Sequence, residues 1–472
     1  MNHPIFYSAP NARTGDVIPK YIDGKYQVFY LKNWKDRSAP GVIPGWHRME
    51  TDDMLHMTPE TPIGVVGGTG DLFYHDGVWH LFACIFPEGK QFVTHYISRD
   101  GSLDNWEYIE EDTFGPDGVI YHKSDWRDPR IEYDPENDEF KMLLCARVND
   151  PHSQGGCVGV CVSKDLHKWE YRQPEYYPRR FNGACECPDT FVMGDWEYLT
   201  FSSYTNLFGH YYVKRRVGTK AWKLPGNHRL ESRGFYAPKT AGDGTERYLF
   251  GWLPTKEDNV YGFWPDKMET QDYRTWDWGG GMVIHRLGQT EDGELTLSLP
   301  QSRKNAFKEL TENTFTFITP DLEAIDGGVR ATADNAQSIV RMQQTPGKGY
   351  LHVDILAKDA QQAGVILRAD RAMGNGYYLY VEPEKGRLVY RSWLRMYEEG
   401  GKTFPYDVEM EVPVRKRDDG RYKLEILMED TAATAYVNGE TALSFRMYDI
   451  EEGDLGLFIL GPGEFTDIRL YK

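Results

Sequence analysis

The chain has 472 residues, 40% apolar and 14% aromatic, with 13 Trp and 31 Tyr; at about 100 to 200 residues per domain, this excludes a small peptide-binding module and a disordered chain. Asp plus Glu outnumber Lys plus Arg by 72 to 54, giving a net charge of −18 and a pI near 5.2. That balance argues against nucleic acid or an anionic membrane surface as a partner and favours a neutral small ligand.

The first residues, MNHPIFYSAPNARTGD, carry no basic stretch followed by an apolar run, and no segment has the roughly 18 apolar residues of a membrane span. The expectation is a cytoplasmic protein. Cys84, Cys145, Cys157, Cys161, Cys185 and Cys187 form no Cys-x-x-Cys pair and have no zinc-type His spacing. Several sit in apolar, strand-like runs, so they are expected to be small buried hydrophobes, with neither a metal nor a cofactor implied.

Helical periodicity is scarce. Along the first 300 residues a hairpin pattern of aromatic, tight turn, aromatic and apolar pair recurs five times. The copies run Tyr21–Phe29, Tyr74–Phe82, Tyr133–Leu144, Phe191–Phe201 and Thr240–Phe250. A second pattern follows four of them, at Glu50–Met57, Ser98–Trp106, Ser163–Trp169 and Gly218–Trp222. Five antiparallel units of about 50 to 60 residues predict an all-β fold that begins with a five-bladed β-propeller over residues 1–300. After Leu299-Pro-Gln-Ser the repeat stops. Residues 310–472 contain a new set of alternating segments, among them FTFIT, YLHVDILA, GYYLYVEP and DLGLFIL, which predict a C-terminal β-sandwich.

Counting back five residues from the first residue of each hairpin copy gives Asp16, Thr69, Asp128, Glu186 and, in looser register, Phe235. Equivalent positions of a propeller are related by rotation about its axis, so Asp16, Asp128 and Glu186 are expected to meet at one mouth of the channel. Converging carboxylates repel and raise one another's pKa, which a fold gains nothing from unless a ligand shares them. Opposed carboxylates are what glycosidic cleavage needs: a protonated acid for the leaving oxygen, and an ionised group to attack the anomeric carbon or activate water. Trp46-His47, Tyr121-His122, Trp276 and Trp278 are aromatic candidates for the mouth, with Trp46 assigned to substrate binding. Gly67-Gly68-Thr69-Gly70 lacks the Lys-Ser/Thr ending of a phosphate loop and reads as a turn that brings backbone near the site. A compact calcium-type acidic loop is absent from the sequence.

Trp126-Arg127-Asp128-Pro129 and Glu186-Cys187-Pro188-Asp189 resemble the Arg-Asp-Pro and Glu-Cys-Pro-Asp motifs of glycoside hydrolase family 32, the β-fructofuranosidases (invertases, inulinases and levanases). Both fall in the expected units, and Asp430–Glu440 resembles a late sandwich strand of that family. The resemblance implies a retaining hydrolase of terminal β-fructofuranosyl bonds that needs no cofactor and takes a small carbohydrate as its substrate. It implies Asp16 as nucleophile, Glu186 as general acid/base and Asp128 as the group that binds hydroxyls and stabilises the transition state. By the same resemblance Arg127 positions the sugar or a neighbouring carboxylate, and Asp189 orients Glu186 or binds a hydroxyl. The chain departs from the family at the first motif, where Arg13-Thr-Gly-Asp16-Val-Ile-Pro19 replaces a Trp-Met-Asn-Asp-Pro-Asn-Gly run. A later Gln of the family has no counterpart, its space falling to Asn33 or Trp34. Two alternatives stay open: an inverting, arabinofuranosidase-like or xylosidase-like propeller enzyme, and a carbohydrate-binding protein without turnover.

Overall fold

A computed structural model describes residues 4–152, 155–179, 183–204, 208–255, 278–392, 410–448 and 450–472. All five anticipated hairpins are present. Each opens a blade: Ala12–Ile22 with Lys25–Trp34, Asp71–His75 with Val78–Ile85, Tyr121–Asp134 with Glu139–Val148, Glu186–Met193 with Trp196–Ser203, and Tyr236–Gly242 with Arg247–Pro254. The Asp23-Gly24 and Asp76-Gly77 turns place both central residues at positive φ, the geometry whose twist matches that of the flanking strands. Further antiparallel strands complete each blade outward from the hairpin.

The blades pack face to face through apolar seams. Ile18, Phe29, Trp46, Leu72 and Leu81 fill the seam between blades one and two. Phe82, Trp126, Phe140 and Leu144 fill the next, and Leu143, Val160, Leu199 and Phe201 join blades three and four. The ring closes where Val17, Tyr26 and Val28 meet Phe250, Met282 and Ile284, with Thr14 paired to Gly280 across the junction. The protein is thus a five-bladed β-propeller followed by a β-sandwich.

Beyond the last propeller strand, Leu295–Ser298, a short helix at Gln301–Asn305 leads into the sandwich. Its two antiparallel sheets enclose a core that includes Leu351, Val353, Val365, Leu379, Leu424 and Leu457. The expected FTFIT strand shrinks to Thr316–Phe317, paired only with Gln337–Gln344 at a sheet edge. Its alternating pattern suits a half-buried strand, but without a second neighbour Phe315, Phe317 and Ile318 stay exposed. The sandwich leans on blades four and five. Arg446 donates to the carbonyls of Leu253 and Pro254 at 3.0 Å each, and Tyr198, Leu253 and Val283 share a core with Tyr350 and Tyr436.

Candidate active site

The innermost strands of blades one, three, four and five each carry an extra residue, shown by register shifts that leave two residues facing one. The pairs are Gly15-Asp16, Asp128-Pro129, Cys187-Pro188 and Ala237-Pro238. Asp128, Cys187 and Ala237 stand at φ of 58°, 47° and 47°. Such left-handed backbone in non-glycine residues concentrates at functional sites, and bulges re-aim side chains.

The bulges correct the five-residue count. Glu186 pairs with Ser202 as Arg127 pairs with Cys145 and Tyr236 with Trp252, so Glu186 corresponds by rotation to Arg127 and Tyr236. Asp128 corresponds instead to Cys187 and Ala237. A simple count from the hairpin cannot see where the inserted residue falls: against Asp128 it slips one residue forward in blade one, where Gly15 is the equivalent, and one residue back in blade four. The three carboxylates nevertheless meet: the Cys187 thiol lies 3.9 Å from Asp16 Oδ2 and 3.7 Å from Asp128 Oδ2, and the Cys187 backbone N–H donates to Asp128 at 3.0 Å.

Each acid has its own surroundings. Asp16 accepts a hydrogen bond from Trp252 Nε1 at 2.9 Å and a second from the Thr69 hydroxyl. Burial, followed by repulsion from Asp128, pushes its pKa up to about 7 against the pull of those two donors, with Glu186 adding a smaller push. Glu186 receives Arg127 Nη2 on Oε1 at 2.9 Å and the Tyr236 hydroxyl on Oε2. Burial, with Asp128 adding to it, holds its pKa above the ordinary glutamate range despite Arg127. Arg127 also grips Asp125 at 2.6 Å and lies 3.8 Å from Asp128, so its fork orients neighbouring carboxylates.

Trp278, 37% exposed, lies over Gly15, and a Cβ added at that glycine would sit 2.1 Å from the indole. Its ring is 6.1 Å from that of Trp252. Trp276 lies outside the described residues.

Two assignments, Trp46 and Asp189, are corrected, and Asn33 is placed behind Trp278. Trp46 is fully buried in the seam between blades one and two, where its indole N–H donates to the Gly68 carbonyl at 3.1 Å. It supports the glycine turn that presents Thr69 and has no surface for a sugar. Asp189 does not reach Glu186: one oxygen accepts from Arg130 at 2.8 Å and the other from the Thr240 backbone and hydroxyl at 2.7 and 2.9 Å. Asn33 is also buried, and its amide donates to the Trp278 carbonyl at 3.2 Å, so it braces that tryptophan.

Asp189 belongs to a ring of alternating charge one residue below the bulges. Asp71, Arg130, Asp189 and Lys239 occupy it in blades two to five, and Lys20 enters from blade one, 2.6 Å from Asp71. Arg130 bridges Asp71 and Asp189 at 2.8 Å each, while Lys239 caps the Gly70 carbonyl at 2.9 Å. Tyr236 and Trp252 are the contributors that the sequence reading missed. A signal existed for Tyr236, since Tyr236-Ala-Pro238 stands in register with Arg127-Asp-Pro129 and Glu186-Cys-Pro188. Trp252 carries no comparable mark.

A propeller that gathers carboxylates from three blades, with two of them raised in pKa and one held by an arginine and a tyrosine, defines a glycoside hydrolase. The N-terminal domain of the glycosyl hydrolases family 32 matches residues 18–284, more than half of the chain, and the chain belongs to that family. It is 23% identical to the levanbiose-producing levanase of Bacillus subtilis over 94% of this chain and 85% of that protein. It is 26% identical to the sucrose-6-phosphate hydrolase of Escherichia coli over 93% and 87% respectively. Among solved structures, fructan 1-exohydrolase IIa from Cichorium intybus, in complex with 1-kestose, superposes with a TM-score of 0.69 at 14% identity, covering 99% of this chain and 96% of that one.

Proposed function

We propose that the enzyme hydrolyses terminal β-fructofuranosyl bonds of sucrose-like or short fructo-oligosaccharide substrates with retention of configuration. The observation that carries this reading is the meeting of Asp16, Asp128 and Glu186 around Cys187, each in a distinct environment.

Asp16, aimed by Trp252 and Thr69, attacks the anomeric carbon in its ionised form and becomes the covalent link to the fructosyl unit. Glu186, whose pKa burial raises, gives its proton to the departing oxygen and then takes one from the water that releases the sugar. Asp128, fixed by the Cys187 amide, binds sugar hydroxyls and faces the positive charge that develops on the ring. Trp278 offers an exposed indole face beside the nucleophile, suited to the apolar side of a sugar. The six buried, free thiols suit a reducing compartment and support a cytoplasmic location.

Time-resolved proton NMR with sucrose, inulin-type and levan-type oligosaccharides and aryl arabinofuranosides tests the proposal. Fructose appearing first as the β-anomer is the expected result. Arabinose release, or the opposite anomer first, overturns it in favour of an inverting furanosidase, and binding without turnover overturns it in favour of a carbohydrate-binding protein.

A further inference from the structure

We propose that the seam between blades two and three holds a binding site for a divalent transition-metal ion such as Zn²⁺, formed by His95, His167 and Asp112. A nitrogen from each imidazole and a carboxylate oxygen lie within 4.8 Å of one another. Both histidines present Nδ1 to Asp112 Oδ2, at 2.7 Å from His95 and 2.6 Å from His167. Two imidazoles and one carboxylate, with a further position open to water, form the donor set that suits zinc and its neighbours and not calcium or magnesium, which prefer all-oxygen sites.

The three ligands come from three separate elements, and each is held by its own device. His95 is fully buried on strand Phe92–Ser98, stacked on Phe82 with ring centroids 4.3 Å apart. Asp112 sits where strand Glu107–Phe114 breaks register, between the pairs Val93 with Phe114 and His95 with Ile109. That bulge carries its carboxylate over the imidazole. His167 lies in the turn after strand Gly156–Ser163 of blade three, where the Asp165 side chain accepts the backbone N–H of His167 and of Lys168 at 2.9 Å each.

The outer nitrogen of His95 is also provided for. A metal-bound imidazole donates its other N–H to a partner that fixes the ring, and His95 Nε2 lies 2.9 Å from His80 Nδ1. Metal at Nδ1 places the His95 proton on Nε2, from which it is donated to His80. Tetrahedral bonds of about 2.0 to 2.2 Å set donors about 3.3 Å apart. Both pairs must therefore open, by a turn of the Asp112 carboxylate on its bulge away from His95 and by movement of the half-exposed His167 on its own turn. The ion would clip blade three to blade two on the outer strands, away from the strands that carry Asp16, Asp128 and Glu186.

The test is calorimetric titration of Zn²⁺ into the full chain after EDTA treatment, alongside the visible spectrum with Co²⁺ and melting temperatures with and without Zn²⁺. The expected result is one ion per chain, ligand-field bands of a nitrogen and oxygen site without thiolate charge transfer, and a rise in melting temperature. His167→Ala, on an exposed turn, should weaken Zn²⁺ binding about tenfold or more and abolish the rise while leaving the melting temperature in EDTA unchanged; Asp112→Asn should weaken binding likewise. His352→Ala removes the one histidine of a second grouping with Asp354 and Asp467, where Arg469 already pairs with Asp467 at 2.6 Å, and should leave Zn²⁺ affinity and the Zn²⁺-dependent rise in melting temperature unchanged. Absence of Zn²⁺ and Co²⁺ binding at millimolar metal, or undiminished binding by His167→Ala, overturns the proposal.

Discussion

Tyr236 donates its phenolic hydrogen to Oε2 of Glu186, the oxygen opposite the one that Arg127 holds. Glu186, the proposed general acid, is therefore gripped on one side by blade three and on the other by blade five. The tyrosine stabilises the ionised carboxylate and so lowers the Glu186 pKa from what burial alone would impose. Tyr236→Phe removes that donor and raises the Glu186 pKa further. In the proposed mechanism Glu186 is protonated to release the leaving group, so the alkaline limb of the kcat/KM profile should move to higher pH, with kcat reduced about tenfold by looser positioning. A pH–rate profile of the variant checks both.

With Asp16 as the proposed nucleophile, the acid limb reports the protonation of Asp16. Its pKa of about 7 places loss of activity just below neutrality, as protonation removes the nucleophile. Thr69→Val keeps the shape of the side chain and deletes a hydrogen bond to the ionised form. The Asp16 pKa should rise and the acid limb should move to higher pH, while the alkaline limb stays. A shift to lower pH would contradict the assignment of Asp16.

Glu186→Gln keeps the Arg127 and Tyr236 contacts sterically possible but has no proton to give. The rate on sucrose should fall by about a thousandfold or more, the scale of a lost general acid. An aryl fructoside, whose phenolate leaves without protonation, should lose far less in its first step. A burst of phenolate release followed by slow turnover is the observation to seek.

Gly15 has no side chain because Trp278 occupies the space a Cβ would take. Gly15→Ala should displace the indole and raise KM several-fold or more, with little effect on the melting temperature. Trp278→Ala should reproduce the KM change without the clash. Steady-state kinetics of the two variants provide the check.

Asp71 is the clearest stability element of the propeller channel. Burial alone would raise its pKa, but Lys20, Arg130 and Lys239 together hold it well below the ordinary carboxylate range. Its folded pKa is depressed, so its contribution is complete above the unfolded carboxylate pKa of about 4 and fades as pH falls toward the folded value. Asp71→Asn leaves Lys20 and Arg130 without a shared counter-charge and should cost about 3 to 5 kcal/mol near neutral pH, less in acid. Urea denaturation of both proteins at several pH values measures the difference.

The five hairpins, the change to a sandwich near residue 300 and the convergence of Asp16, Asp128 and Glu186 were legible in the sequence. These are local or repeated signals: Asp-Gly turns demand positive φ, alternating residues sort to two faces of a strand, and a repeat reveals itself by comparison with its own copies. The tertiary structure alone decided what each polar side chain does with its hydrogen bonds. Asp189 and Glu186 stand three residues apart on one strand, yet one is consumed by Arg130 and Thr240 while the other faces Arg127 and Tyr236. Trp46 and Trp278 are the same residue type, yet one fills a seam between blades and the other covers Gly15. An inserted residue in an inner strand turns every side chain before it to a new direction, and partners such as Trp252, 236 residues from Asp16, meet only when the ring closes.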